Sequence, residues 1–181
     1  MSDLHGDALG TLLAWTPPNP HQATLRNRYV AHLASHPDAM TRHCYPAHLT
    51  ASTLVLSADH TRVLLTLHAK AREWFQFGGH CEPEDQTLCE AAAREVREES
   101  GIAELDLDPV PLRLTEHVVP FCGDWGDVRH LDVWFLAIAP FDAEATVSAE
   151  SLDIGWWPLA GLPGRQDSWG DAREILDRRI G

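Results

Sequence analysis

Three glutamates in one short segment are the residues of this sequence best placed to do chemistry. Glu95, Glu98 and Glu99 stand at positions i, i+3 and i+4, which places three carboxylates on one side of a helix within about one turn. Carboxylates this close repel one another, and hard divalent cations such as Mg²⁺ relieve that repulsion by taking oxygen ligands. The pattern indicates a magnesium site, with a solvated acidic helix face as the simpler alternative.

The sequence contains start and stop signals for the helix that would carry these glutamates. Thr87 and Glu90 have the spacing of a capping box, with Asp85 as an alternative cap. Gly101 follows the last periodic residue and is a typical C-terminal stop. We therefore predict a helix over residues 87–100. Its apolar face packs on a sheet through Leu88, Ala91, Ala92 and Val96.

A mixed sheet should position this helix. Residues 52–57 and 62–67 are β-rich runs joined by a polar turn, which predicts a hairpin. Residues 73–77 form a third short strand that leads into Gly78 and Gly79. Further strands are predicted at residues 112–119, 131–137 and 155–157, and a closing helix at residues 171–180.

The first fifty residues are helical in character. Asn19 before Pro20 is a helix start, apolar residues then recur at helical spacing, and Pro37 ends the pattern. A shorter helix is expected over residues 7–15. We interpret this region as a layer packed on the main fold, with a dimer arm or a substrate lid as the alternatives.

Residues 78–102 closely resemble the Nudix box: glycine, five residues, Glu, seven residues, then Arg-Glu-hydrophobic-x-Glu-Glu-x-Gly-hydrophobic. The second half is matched at every fixed position from Arg94 to Ile102, and Gly79 matches the opening glycine. Asp85 stands where Glu is usual, and eight residues rather than seven separate it from Arg94. One added residue before the helix would absorb this difference without moving the glutamates.

The resemblance covers residues 49–181, because the hairpin, the glycine pair and the later Gly155-Trp-Trp segment sit where Nudix domains carry such elements. It implies an α/β (α+β) fold, a Nudix-type α/β/α sandwich with a mixed sheet. Residues 1–48 are then an N-terminal helical extension packed on this domain.

The same resemblance implies hydrolysis of a nucleoside diphosphate derivative (a nucleotide sugar, ADP-ribose, a dinucleotide or a (d)NTP) with Mg²⁺, or alternatively Mn²⁺, as cofactor. Arg94 would position a carboxylate, with Asp85 or Glu82 as its partner. The residues implied for catalysis are Glu98, Arg94 and Glu95. The metal ligands implied are Glu95, Glu98, Glu99 and the backbone carbonyl of Gly79.

The general base and the substrate pocket are less narrowly defined. Glu98 is a candidate base, and Glu144 and Glu150 on a later loop are alternatives. Candidate substrate contacts are two aromatic residues, Trp125 and Phe77, which a nucleobase could stack on. His80 and His130 are candidates for contacts with a phosphate.

Two other functions are compatible with the same resemblance to the Nudix box. An isomerase acting on isopentenyl diphosphate would need a catalytic cysteine, for which Cys81 is the candidate. A ligand sensor without catalysis would use the N-terminal helices to bind a partner, but such proteins usually lose box glutamates, and none is missing here. A homodimer is compatible with either function.

The amino-acid composition disfavours several other classes of protein. Asp and Glu number 27 against 14 Lys and Arg, a net charge of −13, which disfavours general nucleic-acid binding. No apolar run approaches a membrane span and no secretory signal is visible, so a cytoplasmic location is expected. The four cysteines form no CxxC pair. His80 beside Cys81 suggests zinc, but the scattered spacing of the histidines and cysteines disfavours it.

Overall fold

The computed structural model describes residues 4–120, 122, 126–149, 151–163 and 169–180. Its helices begin and end at the local signals identified above. Asn19 accepts a hydrogen bond from the backbone N–H of Gln22 at 2.9 Å, and Thr87 does the same for Glu90 at 3.0 Å. Gly101 closes the acidic helix in the left-handed conformation, with φ of 71°. The helices are α1 (Leu4–Ala14), α2 (Pro20–Ser35), α3 (Leu88–Ser100) and α4 (Ala172–Ile180).

The strands form one mixed sheet with the order β3-β2-β1-β6-β5, in which β4 also pairs with β1 and β7 with β2. The predicted strands are present and several are longer than predicted, but the one predicted at residues 73–77 is divided at Gln76 into β3, which pairs with β2, and β4, which pairs with β1. β1, for example, begins at Ala47, because its first residues pair in parallel with β6. The strands are β1 (Ala47–Leu56), β2 (Arg62–His68), β3 (Trp74–Phe75), β4 (Phe77–His80), β5 (Asp106–Val119), β6 (Val128–Ile138) and β7 (Ser151–Pro158).

Helices cover both faces of this sheet, so the α/β sandwich is confirmed. Side chains alternate along β1: Val55 packs in a cluster with Val96 of α3, whereas Leu54 and Leu56 pack in a second cluster with Ile175 of α4. Within the described part of the chain, no helix is both long and apolar enough to cross a membrane.

The two N-terminal helices lie on the α3 side of the sheet. Leu12 of α1 and Tyr29 of α2 are buried in the same cluster as Leu88 of α3. Asp7 of α1 accepts a hydrogen bond from the backbone N–H of Leu88 at 2.9 Å, which places a carboxylate at the positive end of the α3 dipole. The extension therefore helps to fix the acidic helix. A boundary at residue 48 remains a prediction.

Candidate functional site

The glycine pair of β4 lies directly against the acidic face of α3. A Cβ added to Gly79 would lie 2.8 Å from the carboxyl carbon and both carboxylate oxygens of Glu95. The neighbouring Gly78 donates its backbone N–H to Glu99 at 2.9 Å. Two of the three predicted glutamate ligands therefore contact the same strand, and the absence of a side chain at Gly79 lets the Glu95 carboxylate approach it.

Arg94 ties α3 to the turn that precedes it. Its guanidinium donates to both carboxylate oxygens of Asp85 at 3.1 and 3.0 Å, to Glu95 at 2.9 Å and to the carbonyl of His80 at 2.9 Å. The hydrogen bonds with Asp85 are the first cause that raises the pKa of Arg94 above its ordinary value. The Asp85 side chain, only 6% exposed, also accepts the backbone N–H of Glu82. Asp85 is thus the partner of Arg94, and the turn before α3 absorbs the added residue.

Glu98 occupies the outer side of this group. Its side chain is 63% exposed and contacts Arg94 at 3.5 Å, whereas Glu95 is held between Arg94 and Gly79. The predicted donor set is made of carboxylate oxygens beside a backbone carbonyl, which is the type that Mg²⁺ takes. The Glu95 carboxylate lies 2.8 Å from the position that a Cβ of Gly79 would take, so a carboxylate donor lies close against the backbone of this strand, and these residues fit the predicted ion.

The other predicted site residues are dispersed. Phe77 is fully buried and packs with Val96, which argues against the predicted substrate contact. His80 points its ring to the opposite side of β4 from Gly79, since successive side chains of a strand alternate. Glu144 is exposed on a loop that reaches the C-terminal end of α3, where Thr146 donates its N–H to Ser100 at 2.8 Å. Outside the described residues lie Trp125 and Glu150.

Cys81, the cysteine proposed for an isomerase, is buried and lacks the properties of a reactive nucleophile. Burial raises the pKa of its thiol to about 12, so the reactive thiolate is scarce at neutral pH. This observation disfavours the isomerase interpretation.

A buried carboxylate that sequence reasoning missed lies in the middle of the sheet. Asp132 on β6 accepts hydrogen bonds from Thr50 at 2.8 Å, from Ser52 at 2.8 and 2.9 Å and from the indole of Trp134 at 2.7 Å. The parallel register of β1 and β6 places these side chains on one face. The run of hydroxyl residues on β1 was the only signal in the sequence, and it did not indicate which acidic residue these hydroxyl groups would bind.

A second missed group lies on that same face. Four residues, His48, His80, Cys122 and His130, bring their side chains together from β1, β4, β6 and the β5–β6 connection. Burial lowers the pKa of His80 to about 3 and that of His130 to about 2, so both imidazoles are neutral at neutral pH. In the sequence, zinc was suggested only by His80 beside Cys81, and Cys81 is not among the four residues. The four positions lie far apart along the chain, so their spacing gave no signal.

Replacing Gly79 with alanine should weaken the site more than the fold. The new methyl group would stand 2.8 Å from the Glu95 carboxylate and would push this ligand away from the strand. We expect the Mg²⁺ concentration for half-maximal activity to rise and kcat to fall about tenfold or more. The unfolding free energy should fall by only about 1 kcal/mol. Magnesium titrations of the initial rate and urea denaturation measure the two effects.

Gly155→Ala is the matched control, because its nearest neighbours lie at 3.7 Å, an ordinary contact distance. This variant should keep the magnesium dependence of the parent protein. Equal losses of activity in the two alanine variants would contradict the role given to the space beside Gly79.

The fold of this chain is similar to those of several solved structures. The NUDIX domain of Shewanella oneidensis NrtR, solved with ADP-ribose, is 20% identical with a TM-score of 0.58, covering 83% of this chain and 97% of its own. A MutT protein from Methanosarcina mazei is 20% identical with a TM-score of 0.57, covering 74% and 95%. The dihydroneopterin triphosphate pyrophosphohydrolase of E. coli is 20% identical with a TM-score of 0.56, covering 73% and 94%. At this identity the likeness concerns the fold. Among curated proteins no match is found.

The family model is the more direct comparison. The model of the NUDIX domain matches residues 46–178, which include the sheet, the glycine pair, the acidic helix and most of α4. The match extends over most of the chain and contains the box that the sequence resembles. The chain therefore belongs to the Nudix hydrolase family.

Proposed function

We propose that this protein is a Mg²⁺-dependent pyrophosphohydrolase that cleaves the diphosphate linkage of a nucleoside diphosphate derivative. The observation that carries the proposal is the meeting of box carboxylates and glycine backbone. Glu95 lies over Gly79 while Glu99 accepts the N–H of Gly78. Glu95, Glu98, Glu99 and the Gly79 carbonyl would hold the ion.

Each of the chain's own groups has a distinct part in this chemistry. Arg94 fixes the Glu95 carboxylate, and Asp85 in turn fixes Arg94, so this ligand is oriented before substrate arrives. Bound Mg²⁺ would screen the charge of the diphosphate and supply Lewis-acid activation of water.

Glu98 is the carboxylate best placed to take a proton. Its side chain is the most solvent-exposed of the three box glutamates whose contacts are described above, so it can reach a water molecule at the site. Water attacks one phosphorus of the diphosphate, its proton passes to Glu98, and the second phosphate leaves with the electron pair of the broken P–O bond.

The substrate class is inferred from the box and from the similar structures. The box residues would bind the metal ion that contacts a diphosphate, and one similar structure contains ADP-ribose. The net charge of −13 disfavours the attraction of a polyanion in the absence of cations. A small nucleotide that arrives with Mg²⁺ is therefore the favoured substrate.

A substrate panel tests the proposal. ADP-ribose, a nucleotide sugar, a dinucleotide polyphosphate, a dNTP and isopentenyl diphosphate are each incubated with the protein and Mg²⁺, and products are separated by anion-exchange chromatography. We expect nucleotide release from at least one of the first four, abolished by EDTA and strongly reduced in Glu98→Gln and Glu99→Gln.

The alternative functions give different results in the same panel. Isomerised isopentenyl diphosphate without nucleotide release would favour the isomerase. Binding of ADP-ribose measured by calorimetry, with equal inertness of the parent protein and both variants, would favour a ligand sensor. Either result would refute the hydrolase proposal.

A further inference from the structure

Four side chains with nitrogen and sulfur donors form a cluster on the sheet face opposite Gly79. His48 belongs to β1, His80 to β4 and His130 to β6, while Cys122 comes from the connection between β5 and β6. Three of the four residues are buried and His80 is partly buried. The sheet register holds them in place, because His48 is paired with His130 and Thr50 with His80.

The sulfur–nitrogen distances within this cluster are short enough for the four donors to share one metal ion. The Cys122 sulfur lies 3.3 Å from Nε2 of His80, 3.4 Å from Nε2 of His130 and 3.8 Å from Nε2 of His48. A zinc ion with Zn–S of about 2.3 Å and Zn–N of about 2.0–2.1 Å keeps sulfur and nitrogen ligands about 3.6 Å apart. The three observed distances bracket this value, and all four donor atoms lie within 4.8 Å of one another.

A contact outside the cluster sets the tautomer of one histidine. Nδ1 of His48 lies 3.2 Å from the backbone carbonyl of Cys44. A carbonyl can only accept, so Nδ1 carries the proton and Nε2 of this neutral imidazole presents its lone pair to the cluster. Metal-binding histidines commonly donate their second N–H to a carbonyl in this way.

The donors also select the kind of ion. Imidazole nitrogen and thiolate sulfur suit zinc and related transition metals, whereas Mg²⁺ prefers oxygen. The four cluster residues include no carboxylate.

We propose that His48, His80, Cys122 and His130 bind one Zn²⁺ ion at a site separate from the box carboxylates. Binding releases the thiol proton of Cys122 to solvent, and the thiolate and three neutral imidazoles complete a four-coordinate shell. Because four protein ligands leave no open position, the ion has a structural role.

The position of the site explains what that role would be. Zinc would fasten Cys122, and with it the β5–β6 connection, to the sheet. It would also hold β4 through the His80 ring, and the carbonyl of that same residue accepts a hydrogen bond from Arg94 at 2.9 Å. The adjacent Gly79 faces Glu95 on the other side of the strand. Loss of zinc should thus lower stability first and catalysis indirectly.

Metal analysis of the full chain tests the proposal. The protein is purified without a histidine tag, dialysed and measured by inductively coupled plasma mass spectrometry. We expect about one zinc per chain, falling to less than about a tenth in Cys122→Ser and His130→Ala. Cys89→Ser, a cysteine on α3 outside the cluster, and Glu98→Gln, at the proposed magnesium site, should both keep full zinc content.

A measurement on the parent protein tests the proposal even if the variants fail to fold. Zinc is removed with a chelator and replaced by Co²⁺, which should give the visible bands of tetrahedral coordination and a thiolate charge-transfer band. Chelation should also lower the melting temperature by about 5 °C or more, reversibly on zinc addition. Absence of both zinc and the charge-transfer band, or stoichiometric binding of a different metal, would overturn the assignment, whether or not the protein hydrolyses a diphosphate.

Discussion

Replacing Glu98 with glutamine is expected to lower kcat by about 10²–10⁴-fold, the contribution of a general base or a metal ligand. Glutamine keeps the shape of the side chain but removes its charge and its capacity to take a proton. The fold should be unaffected, because this side chain is 63% exposed and its contact with Arg94 is long, at 3.5 Å. Initial rates on the substrate that the panel identifies, together with the melting temperature, measure the two quantities.

Glu90→Gln is the matched control for this variant. Glu90 lies on the same helix and is exposed, and it accepts the backbone N–H of Gln86 at 2.9 Å, which an amide oxygen can also do. Its kcat should remain within about threefold of the parent value, a change of under about 1 kcal/mol in the barrier. A Glu98→Gln protein as active as the Glu90→Gln protein would remove Glu98 from the mechanism and leave the base to another acid.

Replacing Arg94 with alanine is expected to cost about 3–5 kcal/mol of unfolding free energy, the usual effect of removing one partner from a buried ion pair. Asp85, whose side chain is only 6% exposed, would lose the guanidinium that donates to both of its oxygens. Glu95 would lose the guanidinium that orients it at 2.9 Å, so activity should fall together with stability. Urea denaturation and initial rates report the two losses.

A double-mutant cycle separates the ion pair from its surroundings. Arg94→Ala combined with Asp85→Ala removes both charges, and the double variant should be more stable than Arg94→Ala alone. This result would give Asp85 the place that glutamate usually has in the box. Additive losses in the cycle would show that Asp85 and Arg94 act independently and would contradict the pairing.

The cluster of three histidines and Cys122 and the box helix contact β4 from opposite faces of the sheet. On one side, Gly79 meets Glu95 of α3, and on the other the His80 ring meets His130 and Cys122. The short strand is thereby fixed from both faces of the sheet. The hydrogen bond from Arg94 to the His80 carbonyl joins the two.

The sequence alone determined the parts of this protein that depend on neighbouring residues. The acidic helix was predicted at residues 87–100 and observed as Leu88–Ser100, with Thr87 as its cap and Gly101 as its stop. Helix caps, the i, i+3, i+4 spacing of the glutamates and the hairpin turn are all local, so a few adjacent residues specify them. The resemblance to the Nudix box rested on the same local spacing.

Which distant residues come into contact depends on how the strands and helices are arranged in the fold. The tertiary structure selected Asp85 rather than Glu82 as the partner of Arg94, and it placed Asp7 of an N-terminal helix at the start of α3. It also gathered three histidines with Cys122, which the sequence scatters over the chain. These contacts follow from strand order and register, which the alternation of apolar residues within one strand does not encode, because any pairing that buries the same face satisfies it.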